Sequence, residues 1–272
     1  MLFFSIVVLF SLNSYSQNSS LMSSLITEIK HSVVPILCHD TKWKKDSGVF
    51  GTCVILGNIK KECYLTCEHV VAIKDSTKKT IGYISDFYIQ MNYKNDSGSQ
   101  WVRVDLLYAD EKNDFAILTL SKNQNLDPNI YSKEIQPSLW KETKDLKEGE
   151  SVLYVGYPMF LGIENTNHPL SRTGMISQLI QGRNSFLIDG FVQHGHSGSP
   201  VFLIEPVPNI IPEQWHFYLI GIATSFPDEF TDVYEQIKLV ERPKTQVLIN
   251  PGFTFVTSMN TIIPVLKKKM GF

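Results

Sequence analysis

Short apolar runs rich in valine, isoleucine, phenylalanine and tyrosine, each broken by glycine, proline or a polar cluster, recur along this chain. Val33 to Leu37, Gly48 to Leu56 and Glu62 to Val71 come first, the last of them a strand ending in His69. Phe87 to Met91, Trp101 to Tyr108 and Phe115 to Leu120 follow, with Gly57-Asn58 marking a hairpin turn and Asn92 to Gln100 a loop. Such runs between turn-forming residues read as strands, and their close succession implies an antiparallel barrel or sandwich.

Residues 121–147 are polar and rich in Lys, Asn, Glu and Pro, the composition of a crossing between two units. The β pattern then resumes at Ser151 to Pro158, Gly174 to Ser177, Ser185 to Asp189, Val201 to Ile204, Tyr218 to Ala223 and Phe253 to Thr257. Two helices flank the strands. Apolar residues at 21, 22, 25, 26 and 29 have helical spacing behind a Ser19 or Ser20 cap. Asn260 is placed to cap a C-terminal helix with Pro264 in its first turn. Residues 2–12 form an apolar stretch too short for the ~20 residues of a membrane span. With Ser14 and Ser16 before Gln17, it reads as a signal peptide of residues 1–16, although it lacks the usual Lys or Arg. The mature chain is therefore expected to be exported, to a periplasmic or extracellular place, with no membrane span.

Of the 272 residues, 43% are hydrophobic and 11% aromatic, enough for a real core and too apolar for disorder. A net charge of −2 gives no global field toward nucleic acid or anionic membrane. Four cysteines, at 38, 53, 63 and 67, crowd the first quarter. Export permits disulfides, and a Cys53–Cys67 bond and free buried thiols both suit the sequence.

The chemistry concentrates at Gln193-His194-Gly195-His196-Ser197-Gly198-Ser199-Pro200. A serine attacking a carbonyl needs backbone N–H groups aimed at the charge that develops there, and flanking glycines permit the dihedrals that aim them. Gly195 and Ser197 would supply those donors. The serine also needs a base, for which histidine is suited, and an acid to hold the imidazole tautomer. His69 follows Leu65-Thr66-Cys67-Glu68, and Asp114 stands in Asn113-Asp114-Phe115-Ala116-Ile117-Leu118.

These three segments, in the order His, Asp, Ser, resemble the boxes of chymotrypsin-like serine proteases, most closely the bacterial trypsin-like branch that includes the periplasmic stress proteases. Gly51 to Ile55, Val155 to Pro158, Gly174 to Ser177 and Pro251 to Thr257 resemble further strands of that branch, so the likeness covers roughly Val33 to Lys268. It implies an all-β fold of two packed six-stranded antiparallel barrels, with short N-terminal and C-terminal helices. Residues 17–140 would hold the first barrel with His69 and Asp114, and 141–272 the second with Ser197. The implied reaction is peptide-bond hydrolysis of protein or peptide substrates, without cofactor or metal. His196 stands where the digestive enzymes have aspartate, so their activation by a newly cut N-terminus has no counterpart. Ser199 replaces a usual glycine, and no peptide-binding module is expected after the C-terminal helix.

The resemblance also maps a substrate pocket onto Phe191, Val192, Thr224, Ser225 and Phe226, with Gly252 at its base. A phenyl at 226 would narrow it toward small or medium apolar side chains. Two other readings use the same residues. Cys63, Cys67 and His69 share parity along one strand and, with Cys53 near, could bind zinc. A protease-like domain that binds partners without turnover is the second. The oligomeric state is not legible.

Overall fold

The computed structural model describes residues 22–40, 45–58, 61–95, 97–122, 124–161, 168–180, 182, 184–207, 215–227, 229–233, 245–249 and 251–272. The expected signal peptide and its cleavage point lie outside them. A helix, α1, covers 22–30. Then come β1 (Val33–Asp40), β2 (Lys45–Asn58), β3 (Lys61–Thr66), the one-turn helix α2 (Glu68–Val71), β4 (Ala72–Lys74), β5 (Thr80–Tyr83), β6 (Asp86–Asn92), β7 (Ser99–Asp110) and β8 (Phe115–Leu120). After a crossing follow β9 (Ser151–Gly156), β10 (Leu170–Leu179), β11 (Ser185–Asp189), β12 (Pro200–Pro206), β13 (Trp215–Ser225), β14 (Glu229–Val233), β15 (Thr245–Ile249), β16 (Phe253–Ser258) and α3 (Met259–Met270).

Two sheets close on themselves. One runs β1-β2-β3-β8-β7-β6 and the other β10-β11-β16-β13-β12-β9, every pairing antiparallel. This is the chymotrypsin-like architecture of two six-stranded barrels that the resemblance implies, and it resolves the barrel-or-sandwich choice left by the short runs. Hairpins β4–β5 and β14–β15 stand outside the barrels.

The near-continuous apolar runs in the second half follow from burial on both faces of a strand. Along β9, Val152 and Tyr154 point into the second barrel's core, whereas Leu153 and Val155 join the core shared with the first barrel. On β12, Val201 and Leu203 face the second core and Phe202 the shared one. Each large side chain so buried contributes about 1.5–3 kcal/mol, which makes this alternation a strong constraint on register.

The crossing between barrels is polar but structured. Ile135 bridges to Leu56 in the first barrel, and Trp140 bridges to Leu219 in the second. Helix α3 closes this seam with Met259, Ile262, Ile263 and Leu266, all in the shared core. Its cap differs from the sequence expectation. Ser258 is the cap and accepts from the Asn260 N–H at 3.1 Å, so Pro264 falls inside the helix, not in its first turn. Gly271, at φ 68°, ends the helix in the left-handed conformation. Among the described residues, no helix is long and apolar enough to cross a membrane.

All four cysteines are buried and outside any disulfide, so the Cys53–Cys67 alternative does not hold. The shared-parity argument for zinc fails as well. β3 stops at Thr66, and the backbone then turns through α2, so Cys63 and His69 do not lie on one strand face.

Candidate active site

His69 lies on α2, whose position is fixed from several sides. Cys67 precedes it in extended conformation, and its thiol donates to the Ala223 carbonyl on β13 at 3.3 Å. The Cys38 thiol donates to the Val70 carbonyl at 3.3 Å. Glu68 is fully buried, and its carboxylate meets Lys74 Nζ at 2.9 Å and accepts from Thr80 Oγ1 at 2.7 Å. A buried carboxylate is tolerable only when paired in this way. The pairing leaves the imidazole at the barrel seam with its side chain 34% exposed.

Asp114 precedes β8 with φ 50°, a left-handed conformation that Asp adopts more readily than most residues. Its carboxylate accepts from the His69 backbone N–H at 3.0 Å. It also accepts from Nδ1–H, at 2.8 Å through Oδ2 and 3.0 Å through Oδ1. With the proton held on Nδ1, Nε2 is left as acceptor for the Ser197 hydroxyl, 2.7 Å away. The turn is anchored across the seam, where Thr257 Oγ1 on β16 donates to the Asn113 carbonyl at 2.7 Å. The neighbouring Asp110 instead accepts from Asn113, through the backbone at 3.0 Å and the side chain at 2.9 Å.

The Ser197 loop is held largely by one threonine of the first barrel. Thr52 N–H donates to the Ser197 carbonyl at 2.8 Å, and Thr52 Oγ1 donates to the Gly195 carbonyl at 2.8 Å. The same hydroxyl accepts from the Tyr157 N–H at 3.1 Å. Gly195 has φ 95°, and a Cβ there would lie 2.1 Å from the Tyr157 carbonyl oxygen. Gly198, at φ 88°, would put a Cβ 2.1 Å from the Thr52 carbonyl oxygen. Only glycine fits either place. The N–H groups of Gly195 and Ser197 donate to no described residue, whereas those of His196, Gly198 and Ser199 are used within the fold.

Ser199, fully buried, packs where a side chain on Gly156 would otherwise sit, since a Cβ there would lie 1.9 Å from Ser199 Oγ. The glycine of the Val155-Gly156-Tyr157-Pro158 segment and the serine that departs from the family pattern are thus a matched pair.

Beside the three side chains opens a cavity of about 560 Å³ lined by His69, Lys74, Lys78, Asp114, Val192, Gln193, His194, His196, Ser197 and Ala223 to Phe226. Val192, Thr224, Ser225 and Phe226 are the wall expected from the sequence. Phe191 and Gly252 are not part of this lining. Phe191 turns outward, 39% exposed, with the Arg172 guanidinium 5.9 Å from its ring centroid and Arg172 Nη1 donating to its carbonyl at 3.1 Å. Gly252 sits in the turn before β16, with φ 95° and its carbonyl accepting from the Gly190 N–H at 2.8 Å. Sequence reasoning missed Gln193, His194 and His196 as lining residues, because which way a loop turns its side chains depends on contacts distant in sequence.

Among the described residues, one group has donor atoms close enough for a metal: Cys67, His69 and Asp114, within 4.8 Å of one another. Cys53 and Cys63 stand apart from it. Its atoms are already engaged, Nδ1 with the carboxylate and Sγ with a carbonyl, and burial holds the Cys67 thiol well above its ordinary pKa, in the protonated form that binds metal poorly.

The comparisons agree with this architecture. Among solved structures, an HtrA-type protease, AlgW, solved with a tripeptide, superposes with a TM-score of 0.54 at 14% identity. The match covers 89% of this chain and 61% of that one. A serine endoprotease from Yersinia pestis gives a TM-score of 0.53 at 18% identity, over 89% of this chain and 64% of that one. The chain therefore spans less than two thirds of the length of either structure, and at these identities the likeness is one of fold. No curated protein sequence matches. Residues 51–205, which include His69, Asp114 and Ser197, match the trypsin-like peptidase domain over more than half of the 272 residues. The chain belongs to the trypsin-like peptidase family.

Proposed function

We propose that the protein is a serine endopeptidase in which Ser197 is the nucleophile, His69 the base and Asp114 the orienting acid. The observation that carries this reading is the continuous relay from Asp114 through His69 to Ser197 Oγ, with 2.8 and 2.7 Å links. His69 Nε2 takes the hydroxyl proton as Oγ adds to the substrate carbonyl carbon, and the N–H groups of Gly195 and Ser197 receive the resulting oxyanion. Collapse of that intermediate breaks the C–N bond, and the imidazolium returns its proton to the departing amine. Water then repeats the sequence on the acyl-enzyme, releasing the acid and the free serine.

Residues 17–140 would form the unit carrying base and acid, and 141–272 the unit carrying the nucleophile. In this reading residues 1–16 direct export and are removed, so the enzyme works outside the cytoplasm on protein or peptide substrates. Hydrolysis of a mixed fluorogenic peptide set by the purified chain tests the proposal. Activity lost in Ser197→Ala is expected, and activity retained in that variant overturns it.

A further inference from the structure

Asp114 orients the base only while its carboxylate stays on His69, yet its backbone sits at φ 50°, where residues with side chains are seldom found. A residue persists in such a conformation when its surroundings hold it there. The hold does not fall on the carboxylate, whose hydrogen bonds among the described residues all come from His69. It falls on the residue before it. Asn113 has four polar groups, and all four are engaged. Its backbone N–H and Nδ2 donate to the Asp110 carboxylate at 3.0 and 2.9 Å, within the turn that joins β7 to β8. The other two bonds come from the second barrel. Asn184 Nδ2 donates to Asn113 Oδ1 at 2.9 Å, and Thr257 Oγ1 donates to the Asn113 carbonyl at 2.7 Å.

The carbonyl matters most. It belongs to the planar peptide that joins residues 113 and 114, and the φ of Asp114 is the angle at which that plane meets its Cα. Fixing the carbonyl oxygen therefore fixes φ, and with φ the direction of the Asp114 side chain. Turning the plane toward an ordinary negative φ would swing the carboxylate off the imidazole. Thr257 can hold the plane because it is itself held. It lies on β16 between β11 and β13, paired with Ser185 and Ile222, and is 5% exposed. Asn184 is tied to the end of the same strand, its carbonyl accepting from the Ser258 N–H at 2.9 Å.

We infer that the Thr257 hydroxyl, together with Asn184, is the positioning group of the orienting acid. It holds Asp114 in its left-handed conformation from across the seam, so the second barrel supplies the nucleophile and also aims the acid of the first. The inference rests on the serine endopeptidase reading and adds to its machinery a residue that lies outside the relay. A group that only stabilises the turn would affect folding alone, whereas a positioning group must act through Asp114.

The test is Thr257→Val in the full chain, assayed by steady-state peptide hydrolysis. A cavity of about 410 Å³ borders Asn113, Asn184 and Thr257, so water can take the freed carbonyl and the fold survives while the peptide plane loosens. kcat should fall on the order of 10- to 100-fold, the scale on which small misplacements of reacting groups act, with KM changed by less than about threefold. Thr257→Ser, which keeps the hydroxyl, should restore most of the rate. Thr254→Val removes another buried hydroxyl of β16, bonded to the Gly190 carbonyl at 2.5 Å, and should leave kcat within about twofold. In an Asp114→Asn background Thr257→Val should cost less than about twofold, because the group it aims is already gone. Its full cost in that background, an unchanged kcat in Thr257→Val, no rescue by serine, or an equal fall in Thr254→Val would overturn the inference. If Thr257→Val does not fold, Asn184→Ala decides, since Asn184 is exposed. That variant should lower kcat about threefold or more in the parent and leave it unchanged in Asp114→Asn, and a fall in both or in neither overturns the inference. Fluorophosphonate labelling separates the two levels. A wild type that stays unlabelled removes the serine peptidase reading with the inference, whereas a wild type and Thr257→Val that label equally fast remove the inference alone.

Discussion

His196 shows how one buried group ties stability to pH. Its folded-state pKa, about 4, lies below the ordinary 6.5, so the unfolded chain takes up the proton first as pH falls. Stability rises with pH wherever the unfolded state binds more protons, so this residue's contribution is full above about pH 6.5. It is lost progressively as pH falls from there toward about 4. Urea unfolding across that range should show a loss of stability that is smaller in His196→Asn, and identical pH slopes in the two proteins would refute this. The acid in the relay is equally open to test. Asp114→Asn should cost on the order of 10⁴ in turnover, the size seen when the orienting carboxylate of such a triad is removed. Asp110→Asn, whose carboxylate touches Asn113 and not His69, should cost far less. The reverse ranking would reassign the acid.

Single elements show what local pattern specifies and what it leaves out. The strands bearing the site were readable because alternation and turn residues are local signals, and the three site segments because their chemistry restricts residue types. Parity failed between Cys63 and His69 because α2, only four residues long, carries no periodicity of its own. The cap of α3 moved to Ser258 because that residue ends β16, and strand pairing decides where the helix starts. The thiols depended on packing. Burial pushes Cys53 and Cys63 up to about 12 and Cys67 well above its ordinary value, so none of these is a ready nucleophile or disulfide former in the folded state. Ellman's reagent at pH 8 should find almost no reactive thiol in the native protein and four after denaturation without reductant. Two after denaturation would mean that a disulfide is present.

At the scale of the whole molecule, the site depends on how the barrels meet. Thr52 on β2 reaches three backbone groups of the second half, the Ser197 and Gly195 carbonyls and the Tyr157 N–H. Its hydroxyl is fully buried, so Thr52→Val keeps the shape but leaves the Gly195 carbonyl and Tyr157 N–H unpaired. A loss of about 1–3 kcal/mol in stability is expected, with kcat falling by more than KM changes, because the loop of the proposed oxyanion donors is what loosens. Thermal and urea unfolding beside steady-state kinetics checks both. The loop's cavity wall could not be read in the sequence for the same reason, since Phe191 turns out beside Arg172 and His196 is buried beside Tyr154 through contacts that no local pattern encodes.

The central claim is that Ser197 is an activated nucleophile. Intact-mass measurement after treatment with a fluorophosphonate tests it most directly. One equivalent bound, mapped by peptide analysis to Ser197 and absent in Ser197→Ala and His69→Ala, is the predicted result. A wild-type protein that stays unlabelled, or a Ser197→Ala variant that labels equally, would contradict it.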